Sequence, residues 1–510
     1  MAAQDLAERI FEMTGVTVPI VADTLDISSN MILVGKSTKT DELGLEIPSG
    51  FPENEGFRVY SDSRVLLLAG NDEGSFTGTQ FAVNYLLELL GFGWYGTDSL
   101  WTVIPQVDEV SVPHINILSR PDFGSRYTNL SKAADTLSKR WYLGGYNSEV
   151  EHKFPIIFPV EKYYAEHPEY YALSNGTRST EGKRWWQLCL SNPEVQRITA
   201  GSCIEFFRTH PYYNGVSNGQ NDGNGDPQSA DYANWCECDD CKHFAGSFTE
   251  AMMRFSNIVG GLVAEEFPDK TVMYYGYYET FEPPSTQLRA EENVLLMLCK
   301  QGGLTRFAGY ENLFNSYMGD AQFSNVFKGW RQLGYKHIGI YEWNCPGAAS
   351  EAWKNCFWVQ GDVFIENARW FRNFGVDFIK IDQGPNSVYE REENYFDIRW
   401  PLWYVNSVSM YYCGRSFEEI MRPVCDKLYG DAAGAMYEFY DALNKANRYC
   451  EAPNVTWALP DVGSVYTSAH VARIDKAIER AREVGVLIGG EIDQRIENQY
   501  SNWIATKSYL

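Results

Sequence analysis

Between about residue 119 and residue 400, short apolar segments alternate with segments of helical pattern, and this alternation constrains the fold more than any other feature. Strands that alternate with helices pack into a mainly parallel sheet covered by those helices. Eight candidate strands can be counted, at 124–129, 146–154, 187–191, 215–221, 271–277, 293–299, 337–342 and 378–382, of which the second has the weakest pattern. Eight strands with intervening helices predict an α/β fold of the TIM-type (β/α)8 barrel class.

An open, doubly wound sheet is the alternative arrangement for the same alternation. No glycine-rich dinucleotide fingerprint follows an early strand, so the sequence favours the barrel. A chain of 510 residues is also expected to form two or three domains. We predict a non-catalytic α/β domain at 1–113, a catalytic barrel at 114–414 and a helical C-terminal region at 415–510.

The charge of the chain restricts its partners. The 67 acidic and 43 basic residues give a net charge of −24, which disfavours nucleic acids, anionic membranes and acidic polymers. A neutral ligand such as a glycan suits this charge, although a solvated acidic surface explains it equally well. The aromatic content of 15% fits either sugar stacking or an ordinary core.

The sequence predicts no membrane-spanning segment, because it has no apolar run of 18 residues. The N-terminus has a helical pattern without the features of a signal peptide. The protein is therefore secreted, periplasmic or surface-associated if a signal has been removed, and cytoplasmic otherwise. The sequence does not determine the oligomeric state.

Polar residues follow the candidate strands, as a barrel active site requires. Asn129 ends the first strand and Asn221 with Asp222 the fourth. Tyr277 ends the fifth. The remaining strand ends carry Lys300, Glu342 followed by Trp343, and Asp382. Together they predict a ligand site at the carboxyl end of the barrel.

Asp222 and Glu342 are the predicted catalytic residues. The fourth and seventh strands lie across a barrel mouth from each other, so their terminal carboxyl groups can flank a glycosidic bond. An Asx turn or helix cap is the structural alternative for Asp222, and a salt bridge within the barrel is the alternative for Glu342. The predicted substrate-binding residues are Asn129, His152, Asn221, Tyr277, Trp343 and Asp382. His152 and Trp343 also have structural alternatives, since a lone histidine or tryptophan is often part of the core.

A cysteine cluster follows the fourth strand. Cys236, Cys238 and Cys241, with His243 two residues later, resemble a metal-binding knuckle. The first spacing is shorter than usual for zinc, so a structural zinc site, a local disulfide and free thiols all stay open. In each case we expect the cluster to hold the loop after the fourth strand, and we expect no catalytic metal and no cofactor.

Several segments resemble a bacterial family of glycan-acting barrels once classed as a domain of unknown function. They are 163–173, 175–178, 187–195, Asn221 with Asp222, the cluster at 236–241, Trp400 and 417–433. The resemblance extends from about residue 119 to residue 446. Segments 55–59 and 91–95 resemble the domain that precedes the barrel in α-glucuronidases and β-hexosaminidases.

The family includes glycoside hydrolase family 163, endo-β-N-acetylglucosaminidases that cleave complex N-glycans. The resemblance implies a retaining reaction in which the acetamide of the substrate attacks the anomeric carbon. One carboxyl group then acts as acid and base, and another group orients the acetamide. Hexosaminidases with this chemistry commonly carry adjacent Asp and Glu residues after strand four, whereas this chain has Asn221 and Asp222. Glu342 is then the proton donor and Asp222 the orienting group, or the reverse.

Two other functions agree with the sequence. The first is an exo-acting hexosaminidase or an α-glucuronidase-like enzyme. The second is a glycan-binding protein whose barrel has lost catalysis.

Overall fold

The computed structural model describes residues 1–25, 30–128, 135–180, 186–222, 235–299, 321–343, 351–382, 395–448 and 461–510. Two of the predicted strand-end residues, Asn129 and Lys300, lie outside these ranges, as does the side chain of Trp343. The chain divides into two compact units. The first contains residues 1–145, 344–374 and 381–510, and the second contains 146–343 and 375–380.

The N-terminal part of the first unit is a small α/β layer. Its helices are α1 (Ala2–Thr14), α2 (Thr38–Glu42), α3 (Gly78–Leu89) and α4 (Asp135–Arg140). Its strands are β1 (Met31–Val34), β2 (Phe57–Ser61), β3 (Val65–Gly70), β4 (Gly93–Trp94), β5 (Thr102–Val103), β6 (Asn116–Ser119), β7 (Ser125–Thr128) and β8 (Gly144–Gly145). Four of them form a sheet in the order β1-β3-β2-β6. Phe57 and Val59 alternate with less buried residues along β2 and join Phe81 and Leu86 of α3 in one core.

The second unit carries the central strands and their helices. Its helices are α5 (Phe154–Ile157), α6 (Val160–Tyr163), α7 (Pro193–Thr209), α8 (Asp239–Phe244), α9 (Phe248–Ala264) and α10 (Ala321–Gln332). Its strands are β9 (Gly215–Ser217), β10 (Thr271–Gly276), β11 (Val294–Cys299) and β12 (His337–Trp343). α7 begins at Pro193, where Asn192 caps it by accepting a 2.9 Å hydrogen bond from the Glu194 amide.

The described residues from 351 onward are mainly helical. They form α11 (Glu351–Lys354), α12 (Gly361–Asn373), α13 (Tyr395–Tyr411), α14 (Phe417–Tyr429), α15 (Ala433–Arg448), α16 (Val462–Val465), α17 (Ser468–Ile488) and α18 (Gly490–Lys507), together with strand β13 (Phe378–Asp382). The described residues after 415 are mainly helical, as the sequence predicts for the C-terminal region. Across the described ranges, no helix combines the length and apolar character needed to cross a membrane.

The central sheet is a curled, largely parallel sheet of seven strands, a half-barrel, in the order β8-β7-β13-β12-β11-β10-β9. Neighbouring strands from β9 to β12 are parallel. The weakly predicted strand at 146–154 appears as two parallel bridges to the β9 segment, from Ser148 to Gly215 and from His152 to Gly219. Five of the eight predicted strands therefore correspond to β9, β10, β11, β12 and β13, and the first corresponds to β7.

The predicted third strand at 187–191 does not join this sheet. Leu188 makes one antiparallel bridge, to Tyr171. The alternating pattern of this segment resembles a strand because Leu188 and Leu190 are buried, but Gln187 and Cys189 are buried as well. Those two polar side chains bind other parts of the second unit, as described below.

One face of the central strands, which we call the inner face, carries an aromatic and sulfur-rich cluster. Met273, Tyr275 and Tyr277 line it from β10 and the residue after it, with Leu295, Met297 and Cys299 from β11 and Phe378 from β13. Tyr341 of β12 packs against the same cluster. A Cβ atom at Gly339 would lie 2.8 Å from the Met297 sulfur, so Gly339 also faces inward. Because successive strand residues point to opposite faces, Glu342 has the orientation of Ile338 and Ile340 and not of Tyr341.

Candidate active site

The segment that follows β9 is fixed against β10 by backbone and side-chain hydrogen bonds. The backbone amide of Asn218 donates a 2.8 Å hydrogen bond to the Met273 carbonyl. The buried side chain of Gln220 donates to the Tyr275 carbonyl at 2.7 Å and to the Thr280 hydroxyl at 2.9 Å. These hydrogen bonds extend the contact between β9 and β10 beyond the end of the short β9. They thereby place Asn221 and Asp222 at the carboxyl end of the sheet.

Asp222 is held by a tyrosine from the neighbouring strand. The Tyr277 hydroxyl donates a 2.8 Å hydrogen bond to Oδ1 of Asp222. The Asp222 side chain is still 42% exposed. A carboxylate that is oriented by the protein and also accessible to solvent can meet a ligand in a defined direction.

His152 completes a three-residue group with Asp222 and Tyr277. Its Nδ1 lies 2.6 Å from the Gln220 carbonyl oxygen, so this nitrogen carries the proton and donates. Its Nε2 lies 3.9 Å from Oδ1 of Asp222. The ring packs at 5.0 Å from the Tyr275 ring and 5.9 Å from the Tyr277 ring, measured between centroids. The side chain is 33% exposed and presents Nε2 toward the same space as Asp222.

Asn221 lies directly below this group and is fully buried. Its side-chain amide donates to the Trp186 carbonyl at 3.0 Å, and its side-chain oxygen accepts from the Asp222 amide at 3.0 Å. Gln187 binds the Asn221 backbone from the other side, donating to its carbonyl at 2.9 Å and accepting from its amide at 3.2 Å. These contacts position Asp222, and sequence reasoning had not included Gln187 in the site.

The remaining predicted residues are not brought into this group. Glu342 is 5% exposed and, by the alternation along β12, points away from the inner face. Asp382 is the last residue of β13 and belongs to the other compact unit. Of the predicted residues, the structure therefore brings together Asn221, Asp222, His152 and Tyr277.

Three inner-face residues extend the site beyond the sequence prediction. Tyr275 packs edge-to-face against Tyr341, with ring centroids 6.0 Å apart. The Lys380 ammonium lies 5.2 Å from the centroid of the Tyr341 ring and donates a 3.0 Å hydrogen bond to the Val150 carbonyl. Tyr275 lies two residues before Tyr277, so both side chains point to the same face, and Tyr275 can be identified once the inner face of β10 is known. A tyrosine-lined surface with one cation follows from these contacts.

The cysteine cluster differs from the sequence prediction in its fourth member. Cys236, Cys238 and Cys241 are joined by Cys189, and the four sulfur atoms lie within 4.8 Å of one another. His243 is exposed, and its Nδ1 lies 2.6 Å from the Asp239 carbonyl oxygen within α8. The four cluster cysteines are free, as are the other cysteines that the structure describes, so the local disulfide is not formed.

Comparison with known proteins gives one family match and several structural ones. The family described as "Domain of unknown function (DUF4838)" matches residues 94–441. No curated protein sequence matches the chain.

Two solved structures share the fold. One is a family GH115 4-O-methyl-α-glucuronidase with specificity for decorated arabinogalactans. It aligns with a TM-score of 0.56 at 11% identity, over 99% of this chain and 69% of the other. The second is a GH89 protein from Clostridium perfringens in complex with its substrate GlcNAc-α-1,4-galactose. It aligns with a TM-score of 0.53 at 8% identity, over 90% of this chain and 57% of the other.

Proposed function

The chain belongs to the DUF4838 family, and from this starting point we propose that it is a glycoside hydrolase whose reaction depends on Asp222. The observation that carries the proposal is the group formed by Asp222, Tyr277 and His152. An exposed carboxylate bonded to a tyrosine hydroxyl, with an imidazole nitrogen 3.9 Å away, offers hydrogen-bond partners to a polar, neutral ligand.

The surroundings of this group suit a carbohydrate. Tyr275, Tyr277 and Tyr341 give the inner face flat apolar surfaces beside polar groups, and sugar rings present the same combination of apolar faces and hydroxyl edges. The net charge of −24 agrees with a neutral ligand. The fold shared with a GH115 α-glucuronidase and a GH89 protein adds support, since both act on glycans.

We propose hydrolysis at an N-acetylglucosamine linkage of an N-glycan as the finer activity. In a substrate-assisted retaining reaction, the acetamide oxygen attacks the anomeric carbon while a carboxylic acid protonates the departing oxygen. Water then opens the cyclic intermediate, and the carboxylate takes up the proton of that water. Asp222 is the proposed orienting group, because a carboxylate fixed by Tyr277 can accept the acetamide N–H.

The proton donor in this proposal is a second carboxyl group. Glu342 is the donor proposed from the sequence, and the alternation along β12 is the physical argument against it. Asp382 is the competing candidate. It lies two residues after Lys380 and four after Phe378 on β13, so the alternation along the strand gives all three side chains the same orientation. We also propose that the half-barrel is part of a complete (β/α)8 barrel, supported by the parallel bridges of 148–152 to the β9 segment.

An α-glucuronidase-like activity is the second candidate, favoured by Lys380. A cation on the inner face beside Tyr341 suits the carboxylate of a uronic acid, which a surface of hydroxyl groups alone binds less well. In this case Lys380 would bind the substrate and Asp222 would face the glycosidic bond.

A substrate panel separates these activities. We would incubate the protein with a glycoprotein bearing complex N-glycans, an aryl β-N-acetylglucosaminide and an aryl α-glucuronide, and analyse the products by mass spectrometry. Release of whole glycan chains indicates the endo activity. Cleavage of one aryl glycoside indicates the corresponding exo activity. If all three substrates and the glycans of a mixed glycan array stay intact while binding is measurable, the protein is a glycan-binding protein.

A further inference from the structure

The four cysteines of the second unit converge on one point from two distant parts of the sequence. Cys189 lies before α7, and Cys236, Cys238 and Cys241 lie at the start of α8. The Cys189 sulfur lies 3.7 Å from the Cys238 sulfur and 3.7 Å from the Cys241 sulfur. Four sulfurs bound at about 2.3 Å to a tetrahedral ion lie about 3.8 Å from one another. Both of these separations match an edge of such a tetrahedron.

These distances do not fit a disulfide. A disulfide joins its sulfurs at about 2.05 Å and uses only two cysteines. The cluster has four members, and all of their sulfurs lie within 4.8 Å of one another. Cys189 lies 47 residues before Cys236 in the sequence, and a disulfide between two neighbouring cysteines does not need it. A tetrahedral metal site does need such a fourth ligand.

Hydrogen-bond donors surround the sulfur atoms. The Leu173 amide donates to the Cys236 sulfur at 3.2 Å, and the Cys241 amide to the Cys238 sulfur at 3.4 Å. The Arg178 guanidinium lies 3.9 Å from the Cys236 sulfur. Ser191 Oγ lies 3.1 Å from the Cys241 sulfur. Donors directed at sulfur stabilise thiolates, and a nearby cation offsets the negative charge of four thiolates around a divalent ion.

We propose that Cys189, Cys236, Cys238 and Cys241 bind one Zn²⁺ ion in a structural site. Thiolates are soft ligands, and a set of four in tetrahedral positions selects zinc among the abundant divalent ions. Four protein ligands leave no open position for water or substrate, so the ion has a structural role. The proposal is independent of the proposed glycosidase activity, because it concerns metal binding alone.

The site would stabilise the position of Asp222 through segment 186–191. Cys189 belongs to this segment, and so do Trp186 and Gln187, which hold Asn221 by hydrogen bonds of 3.0 Å and 2.9 Å. The segment that contains Cys236 is also anchored, because the backbone amide of Glu237 donates a 2.7 Å hydrogen bond to the Leu173 carbonyl. A metal bound to Cys189 and Cys236 thus ties segment 186–191, which holds Asn221, to the segment that contacts Leu173. Cluster residues act here as positioning residues.

Metal analysis of the whole protein tests the proposal. We would express the chain in medium with added zinc, dialyse it and measure its metals by inductively coupled plasma mass spectrometry. We expect about one zinc ion per chain in the unaltered protein and less than about one tenth of that in the Cys189→Ser variant. The Cys203→Ser variant is the matched control. Cys203 is a buried thiol on α7 of the same unit, and burial raises its pKa to about 12. This variant should keep its zinc.

A second measurement uses only the unaltered protein, in case Cys189→Ser does not fold. Cobalt in place of zinc should give the visible absorption of a tetrahedral four-sulfur site, and excess zinc should remove it. A purified protein without zinc that also shows no cobalt spectrum would overturn the proposal. So would about one iron ion per chain in place of zinc, or full zinc content in Cys189→Ser.

Discussion

The Tyr277 hydroxyl donates a 2.8 Å hydrogen bond to Oδ1 of Asp222 and thereby fixes the direction of a carboxylate that is partly open to solvent. The two residues come from different strands of the second unit, Asp222 after β9 and Tyr277 after β10. A hydrogen bond to a charged acceptor is stronger than one between neutral groups. The orientation of Asp222 is therefore a property of the folded sheet and does not depend on a bound ligand.

Removal of the Tyr277 hydroxyl should reduce turnover. In Tyr277→Phe the ring keeps its packing against His152 and Tyr275, but the carboxylate loses its donor. We expect kcat to fall by about 10- to 100-fold, the equivalent of a charge-assisted hydrogen bond. The control is Tyr146→Phe, which removes an inner-face hydroxyl that bonds to the Asn214 carbonyl. Equal kcat values for Tyr277→Phe and the unaltered protein would remove Tyr277 from the mechanism.

His152 is expected to contribute mainly to substrate binding. Its Nε2 faces the exposed space beside Asp222, whereas its Nδ1 is engaged by the Gln220 carbonyl. In His152→Ala we expect KM to rise by about 10-fold with a smaller change in kcat, because a binding contact acts on ground state and transition state alike. His210→Ala, at an exposed position after α7, is the control. A large fall in kcat with unchanged KM would instead indicate proton transfer by His152.

The sequence predicted the central strands well for a physical reason. β10 and β11 are fully buried apolar runs, and such runs are typical of parallel strands covered on both faces. The segment at 187–191 has an alternating pattern that also resembles a strand, yet Gln187 and Cys189 bind Asn221 and the cysteine cluster, and these contacts exist only in the folded chain. In this segment the local pattern favours a strand of the central sheet, but the long-range contacts determine the structure that forms.

The candidate site was predicted in part for a related reason. Asn221, Asp222, His152 and Tyr277 follow strand ends or bridges, and parallel strands bring their carboxyl ends to one edge. The orientation of Glu342 could not be predicted, because both faces of β12 are covered and no polar alternation marks the inner one. Cys189 was missed because 46 residues separate it from Cys236 and no spacing rule joins them.

The identity of the proton donor can be decided by two matched variants. Glu342→Gln and Asp382→Asn each remove one ionisable carboxyl group and keep its shape. The variant that lacks the proton donor should lose about 100-fold or more of its kcat. Its activity should recover on substrates with a good leaving group, such as dinitrophenyl glycosides, because these need no protonation. The other variant should show no such recovery. If neither variant recovers activity on dinitrophenyl glycosides, neither residue donates the proton.

The stability of the first unit should depend on pH through Asp397. Burial raises the pKa of Asp397, although Trp101 and Asn498 donate to its carboxylate at 3.0 Å and 2.7 Å. The folded state therefore holds the proton to a higher pH than the unfolded state. Its contribution to stability is largest at low pH and declines as the pH rises through the folded pKa.

Asp397→Asn does not titrate and isolates this effect. In denaturant titrations, we expect the free energy of unfolding of the unaltered protein, minus that of the variant, to decrease as the pH rises above the ordinary pKa of an aspartate and through the raised pKa of the folded state. Glu8→Gln, at a side chain that is 68% exposed, controls for the loss of one negative charge. An increase of the difference with pH would contradict the raised pKa.

Hydrolysis of a glycan by the proposed mechanism requires Asp222, and the amount of released glycan measures this requirement. The unaltered protein and Asp222→Asn would be incubated with a glycoprotein bearing complex N-glycans, and the products quantified by mass spectrometry. We expect glycan release by the unaltered protein and a rate at least about 100-fold lower in Asp222→Asn, with binding to the glycoprotein retained. Release by Asp222→Asn at the unaltered rate would contradict it.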